Sequence, residues 1–361
     1  MKIKMLCLFA IVFFIACKED SSIKLSFVDE FVLKDSIRFK NTLVGGLSSI
    51  DYNNGDYYMV IDDDKNPRVL KAAINFKKDT IQNVVFKDVV CLSDSIPFFK
   101  NNILDLESAF IDENNDIIIT SEGSIKKGKN PTVFSVNKKG EFVSSYTVSE
   151  YFKAESYGKP RHNALFEAST KAYKENGFWI GMEGVLEIDG EAPSQKKQTP
   201  PARITYYDAI TKEPTYQFAY PLDYIERPSK GGFNVNGITA ILAYAKDSFL
   251  VVERAFQSGY GINGNVVKIY NVVLDAIITN TLNIKSLKTT DYVPVKKQLV
   301  FDFNSIRNKL TDKIIDNIEG ITLGPVLENG KQSLILVADD NFQKHGKQLN
   351  QIIVLALENK I

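Results

Sequence analysis

Acidic side chains recur at fixed places in this 361-residue chain, each at the beginning or the end of a short apolar run. Hairpin pairing of those runs puts Glu107 beside Glu122, Glu167 beside Glu183, and Glu319 beside Asp339. By the same rule Asp62 or Asp63 faces the backbone at Gly45, and Glu253 faces Asn236. Carboxylates gathered in one concavity raise each other's pKa unless positive charge balances them. A bound cation is one answer. Basic side chains are another, and Arg68, Arg161, Arg203 and Arg254 flank the acidic runs. A third arrangement spends the carboxylates on backbone amides between repeats. An all-oxygen donor set suits calcium or magnesium. With two histidines, His162 and His345, and no cysteine cluster, the chain has no zinc set.

The elements that must position these groups are strands. Five segments share one layout of apolar run, polar turn, second apolar run and carboxylate, with turns at Asn53-Asn54-Gly55, Glu113 to Asp116, Glu175-Asn176-Gly177, Ala245-Lys246-Asp247 and Glu328-Asn329-Gly330. Turn chemistry and β-branched enrichment mark them as hairpins. They start near Gly46, Leu106, Phe166, Asn236 and Ile318, a period of 60 to 82 residues. Further strand pairs lie between them: Arg68–Ile74 with Asn83–Val90, Thr132–Val136 with Phe142–Val148, Ala202–Tyr207 with Thr215–Ala219, and Asn265–Val273 with Ala276–Ile284. Four strands at that period predict an all-β propeller of five to six four-stranded blades. Ile23–Leu33 is expected to join Gln351–Leu357 and close the ring. Gln298–Phe303 is left over as a strand of a sixth, degenerate blade, and Phe303–Ile315 admits a helical reading.

The N-terminus carries an address. Lys2 and Lys4 precede an apolar run from Met5 to Ala16, too short to span a bilayer as a helix, and Cys17 follows. The pattern resembles a bacterial lipobox, which implies a signal peptide over 1–16, lipidation of Cys17, and a tether over 17–22. Lys18-Glu19-Asp20-Ser21-Ser22 resembles the surface-export tag of Bacteroidetes lipoproteins. The expected domain is then 23–361, held at the outer membrane or cell surface through a lipid anchor alone, as a monomer. Of three cysteines only Cys91 stays in the body, so no internal disulfide forms there. Lys plus Arg and Asp plus Glu are equal at 44, which argues against a nucleic-acid partner.

Several landmarks occur together: Gly45-Gly46-Leu47-Ser48, Asp105-Leu106-Glu107, Ser121-Glu122-Gly123, Asn163 with Phe166-Glu167, Glu183-Gly184, Glu253-Arg254, Asp316 to Gly320, and Asp339 to Phe342. As a set they resemble the phytase-like domain described as the esterase-like activity of phytase. The resemblance covers about Gly45 to Leu357 and implies that the acidic residues form an active centre. Departures are Ala168 and Ser108 after the glutamates, and Asn236 in place of a glutamate. On this basis Glu107, Glu167, Glu319, Arg161 and Arg254 are the catalytic candidates. Asp62, Glu122, Glu183, Glu253 and Asp339 are the metal candidates, for calcium or magnesium. The implied activity is metal-dependent hydrolysis of a small phosphorylated or ester substrate. The alternative is a non-catalytic cell-surface propeller that binds a ligand or a protein.

Other motifs fail on context. Gly259-Tyr260-Gly261-Ile262-Asn263-Gly264 has dinucleotide spacing but lies between strands with no helix after it. Ile50 occupies the glycine position that a nucleophile elbow at Ser48 requires. Arg161-His162-Asn163 lacks the neighbours of a histidine phosphatase loop.

Overall fold

Chain reversal happens where the sequence supplies residues that tolerate a left-handed backbone. Asn54 and Gly55 (φ 50° and 87°), Asn115 (66°), Asp247 (54°) and Gly330 (81°) sit at hairpin tips. A computed structural model describes residues 23–93 and 95–358. The segment 1–16 and the 17–22 tether with Cys17 lie outside them.

The strands form five four-stranded antiparallel sheets and one two-stranded ribbon, Arg38–Phe39 with Thr42–Leu43. Blade one comprises Asp51–Asn53, Asp56–Ile61, Arg68–Lys77 and Thr80–Cys91; blade two Leu106–Ile111, Ile117–Ser121, Thr132–Val136 and Phe142–Ser145. Blade three comprises Phe166–Lys171, Gly177–Met182, Pro201–Asp208 and Pro214–Pro221; blade four Asn234–Ala245, Ser248–Gln257, Asn265–Val273 and Lys297–Asp302. Blade five takes Asn317–Val326, Gln332–Asp339 and Asn350–Leu357, and its outer strand is Leu25–Leu33 from the other end of the chain. The expected closure is therefore present. Inner strands of successive blades touch all the way round, which makes a five-bladed β-propeller.

Each seam between inner strands carries a side-chain hydrogen bond. Ala109 N–H donates to Ser49 Oγ (3.1 Å), Ser169 N–H to Ser108 Oγ (3.0 Å), and Ala243 N–H to Thr170 Oγ1 (3.2 Å). Thr239 Oγ1 donates to the Ile318 carbonyl (2.7 Å), and Tyr52 N–H donates to Thr322 Oγ1 (3.1 Å). The hydroxyl residues on these inner strands satisfy backbone groups that no sheet ladder reaches. The core lies between blade faces. Trp179, Phe218 and Phe249 meet there between blades three and four, with ring centroids 5.0 to 5.7 Å apart.

Three expectations are corrected. The outer strand of blade four is Lys297–Asp302, so the leftover strand has a place and no sixth blade is present among the described residues. Ala276–Ile284 is not a strand. Its Thr281 N–H donates to the Gln217 carbonyl, and the Thr281 and Ile284 carbonyls accept from Arg203, which draws the segment onto blade three with Ile278 in the core. Phe303–Ile315 forms three 3-10 turns rather than an α-helix, the last of them passing through a left-handed Asp312.

Ring closure generates a test. The strand Asn350–Leu357 is buried throughout and has Leu25–Leu33 on its open side. A chain beginning at Lys34 exposes that edge. Its melting temperature should drop by more than about 10 °C, or the protein should aggregate. An unchanged melting curve would show that closure contributes nothing.

Candidate functional site

One irregularity repeats round the ring. Where the first and second strands of blades two to five pair, the register skips between Leu106 and Ser108, Phe166 and Ala168, Ile238 and Ala240, and Ile318 and Gly320. The bulged residues are Glu107, Glu167, Thr239 and Glu319. A bulge bends the strand and re-aims its side chain. The residues that follow are small (Ser108, Ala168, Ala240 and Gly320), and at the last of them a Cβ would stand 2.6 Å from Val337 Cγ2 and 2.8 Å from Ile50 N.

A second row lies on each second strand, one residue beyond the partner of the residue that precedes the bulge or, in blade one, beyond the partner of Leu47. Leu47 bridges Ile61, and Leu106, Phe166, Ile238 and Ile318 pair with Ser121, Met182, Glu253 and Ala338. The next residues are Asp62, Glu122, Glu183, Arg254 and Asp339. Arg254, not Glu253, thus occupies blade four's corner, because neighbours on a strand face opposite ways. Arg254 Nη2 lies 3.5 Å from Glu183 Oε1 and 3.6 Å from Glu319 Oε1, and its Nε has no partner.

The two rows converge. Oxygens of Asp62, Asp105 and Glu107 lie within 4.8 Å of one another, and so do those of Glu122, Glu167 and Glu183. Glu107, Glu122, Glu167, Glu183, Glu319 and Asp339 are all at least nine-tenths buried. Burial raises the pKa of each, and neighbouring carboxylates push Glu107, Glu122, Glu167 and Glu319 up further. Burial lifts Asp62 to about 8, with Asp339 and Asp105 adding to it, and lifts Asp339 itself to about 7. Asp105 is raised by burial and by Asp64, and Glu183 is raised by burial against the opposing pull of Arg254. Some lone pairs are already engaged. Glu122 Oε1 accepts the Leu165 N–H across the seam between blades two and three, Glu319 Oε1 accepts from Asn317 Nδ2 (2.6 Å), and Asp339 Oδ1 accepts from Asn341 N–H (2.6 Å).

Other candidates lie elsewhere. Glu253 faces blade three, where it accepts from Tyr220 OH (2.6 Å) and Asn236 Nδ2 (2.9 Å) and pairs with Lys297. Arg161 is spent on the carbonyls of Val185 and Gly190. Arg203 is fully buried in a two-pronged pair with Asp189 (2.6 and 2.8 Å), and Arg68 pairs with Asp63 (2.8 Å). Asp105 and Asn317 belong to the mouth and were not among the candidates. Asp105 was within reach of the hairpin rule, since Glu122 N–H donates to its carbonyl.

In chemical terms the mouth is a set of hard oxygen donors with a large excess of negative charge and one arginine. Such a set fits a hard divalent cation. The stability of the cation-free protein should therefore depend on pH in an unusual direction. A carboxylate whose folded pKa lies above its unfolded value of about 4 binds its proton more tightly when folded. Stability is then full below that value and falls as pH rises, here through about 7 to about 8 for Asp339 and Asp62. Thermal melts in chelator between pH 5 and 9 should show a declining midpoint that millimolar calcium flattens. A midpoint that rises with pH in chelator would contradict the uncompensated ring.

The sequence matches the family described as Phytase-like, esterase-like activity of phytase, over residues 42–342. No curated protein is detectably similar to the chain. Similar solved structures include an endo-arabinase from Bacteroides thetaiotaomicron (10% identity, TM-score 0.46, covering 88% of this chain and 95% of that one). Another is the catalytic domain of an α-L-arabinofuranosidase from Coprinopsis cinerea (8% identity, TM-score 0.43, 94% and 98%). A third is the Dos1 propeller (9% identity, TM-score 0.33, 89% and 70%). At these values they are similar in chain course and bear on nothing further. The landmarks that span the bulged glutamates and the corner residues fall inside the matched range, and this chain belongs to the phytase-like family.

Proposed function

We propose that the protein is a lipid-anchored, metal-dependent hydrolase of small phosphoric or carboxylic esters, working at the carboxylate mouth. The observation that carries this reading is the convergence of carboxylates, raised by burial and by one another, on one opening where Arg254 is the only ion-pair partner among the described residues. Asp62, Asp105 and Glu107, and Glu122, Glu167 and Glu183, are the residues to hold calcium or magnesium. A bound divalent ion there supplies a Lewis acid for the ester oxygen and lowers the pKa of a water.

The chain's own groups do the rest. Arg254, suspended between Glu183 and Glu319, can turn Nη2 to an anionic substrate oxygen. Asp339, held near 7 with Oδ1 occupied by Asn341 N–H, has Oδ2 left to accept and return a proton. The bulges hold Glu107, Glu167 and Glu319 in fixed directions, so the site is organised before substrate arrives.

Anchorage through Cys17 at the outer membrane or cell surface, as a monomer, belongs to the same proposal and is supported by the apolar run and cysteine at the N-terminus. No helix among the described residues is long and apolar enough to cross a membrane. A second reading, a binding propeller without catalysis, draws on Glu122, which already serves as an inter-blade cap on Leu165.

The body from Ser21 onward, assayed on phosphomonoesters and carboxylic esters with calcium, magnesium or chelator, tests both. We expect cation-dependent turnover that falls roughly 100-fold or more in Glu107→Gln and Glu319→Gln. Stoichiometric cation uptake without turnover on any of these esters would favour the binding propeller.

A further inference from the structure

A cavity of about 480 Å³ lies on the blade-three side of blade four, away from the carboxylate pairs. Its floor is the exposed end of the sheet, with Ala255, Val266 and Lys268 side by side, and the loop after blade three, carrying Asp223 to Arg227, forms one wall. Most charges along it are already matched. Lys297 pairs with Asp223 (2.7 Å) and with Glu253, and Lys268 pairs with Glu226 (2.7 Å) and lies 3.9 Å from Asp223. Asp302 accepts from Asn304 N–H (2.8 Å).

Arg227 and Arg307 differ from these lysines. Among the described residues neither makes an ion pair with a carboxylate; both donate to neutral acceptors, and each reaches a carbonyl of the Gly259–Gly264 loop. Arg307 donates to the carbonyls of Ile262 (3.3 Å), Lys313 (3.2 Å) and Asn265 (3.1 Å). Arg227 donates to the Asn263 carbonyl and, through Nε, to Gln257 Oε1 (2.6 Å), and its Cζ lies over the Tyr260 ring, 4.1 Å from the centroid. That leaves Arg227 Nη1 without an acceptor among the described residues. The Gly259–Gly264 loop thus holds two guanidinium groups together at the cavity edge. Burial and the neighbouring Arg227 lower the Arg307 pKa against the opposing pull of Asp302.

We propose that this cavity is a second binding site, for a small hydroxylated ligand bearing an oxyanion, with Arg227 and Arg307 taking the anionic group. Fixed, planar guanidinium edges match carboxylate or phosphate oxygens. The hydroxyls would meet Glu226, Lys268 and Asn236, which offer both donors and acceptors. The site is separate from the mouth and does not rest on the hydrolase reading.

Calorimetric titration of the body from Ser21, in chelator, with glucuronate, glucose 6-phosphate and glucose tests it. Glucuronate or the sugar phosphate should bind, and glucose should bind at least roughly tenfold more weakly. The stronger of the two anions identifies which oxyanion the cavity prefers. Arg227→Gln should weaken the anion roughly 10- to 100-fold. Because Arg227 also braces a loop, Lys268→Gln serves as a second cavity variant, and it should weaken binding without disturbing the brace. Glu107→Gln should leave binding intact. Absence of binding by both anions, equal affinity for glucose, or loss of binding in Glu107→Gln but not in Arg227→Gln would overturn the proposal.

Discussion

Negative charge removed from water is the condition that the rest of this propeller must restrain. Glu107, Glu122, Glu167, Glu183, Glu319 and Asp339 are buried at one mouth, and the only cation paired with them among the described residues is Arg254. Left to relax, such groups would move apart or into solvent. The fold prevents this at two levels. Bulges fix the glutamates on the inner strands, and hydroxyl bridges at all five seams keep those strands from sliding past one another. A scaffold that retains such an arrangement is suited to an external positive charge, and the proposed metal chemistry follows from that.

Blade four breaks the pattern, and its departures are related. Its bulged residue is Thr239 rather than a glutamate, and its corner residue is Arg254 rather than an acid. The displaced acid, Glu253, is the inner end of the cavity network with Tyr220, Asn236 and Lys297. One strand, Ser248–Gln257, thereby serves two neighbourhoods through its two faces. Arg254 looks towards Glu183 and Glu319, while Glu253, Ala255 and Gln257 look into the cavity.

Much of this was legible in the residues. The turns, the starts of the blades, the closing strand and most of the acidic pairs follow from hairpin chemistry and from counting across it. What escaped has definite causes. Glu253 does meet Asn236 through a side-chain hydrogen bond, but its strand partner is Ile238, so Arg254 takes the mouth and Glu253 the opposite face. Ala276–Ile284 carries the apolar content of a strand, yet its polar backbone is satisfied by Gln217 and Arg203 from another blade, a contact no local pattern announces. Arg161 and Arg203 read as anion-binding by type, but carbonyls and Asp189 consume them in the fold. The Gly259–Gly264 loop lies between two strands and holds a single 3-10 turn, as its context predicts. That two arginines clamp it depends on residues far along the chain.

The joining of Leu25–Leu33 to Asn350–Leu357 sets an order of events. Leu25 lies opposite Leu357, with more than three hundred residues between them in sequence, so blade five cannot be completed until the chain has emerged almost in full. Contacts of such long separation form late and slow folding down. Until then the edge of Asn350–Leu357 stays open to other chains. Assembly of the ring therefore comes last, with the leading strand waiting for the trailing one.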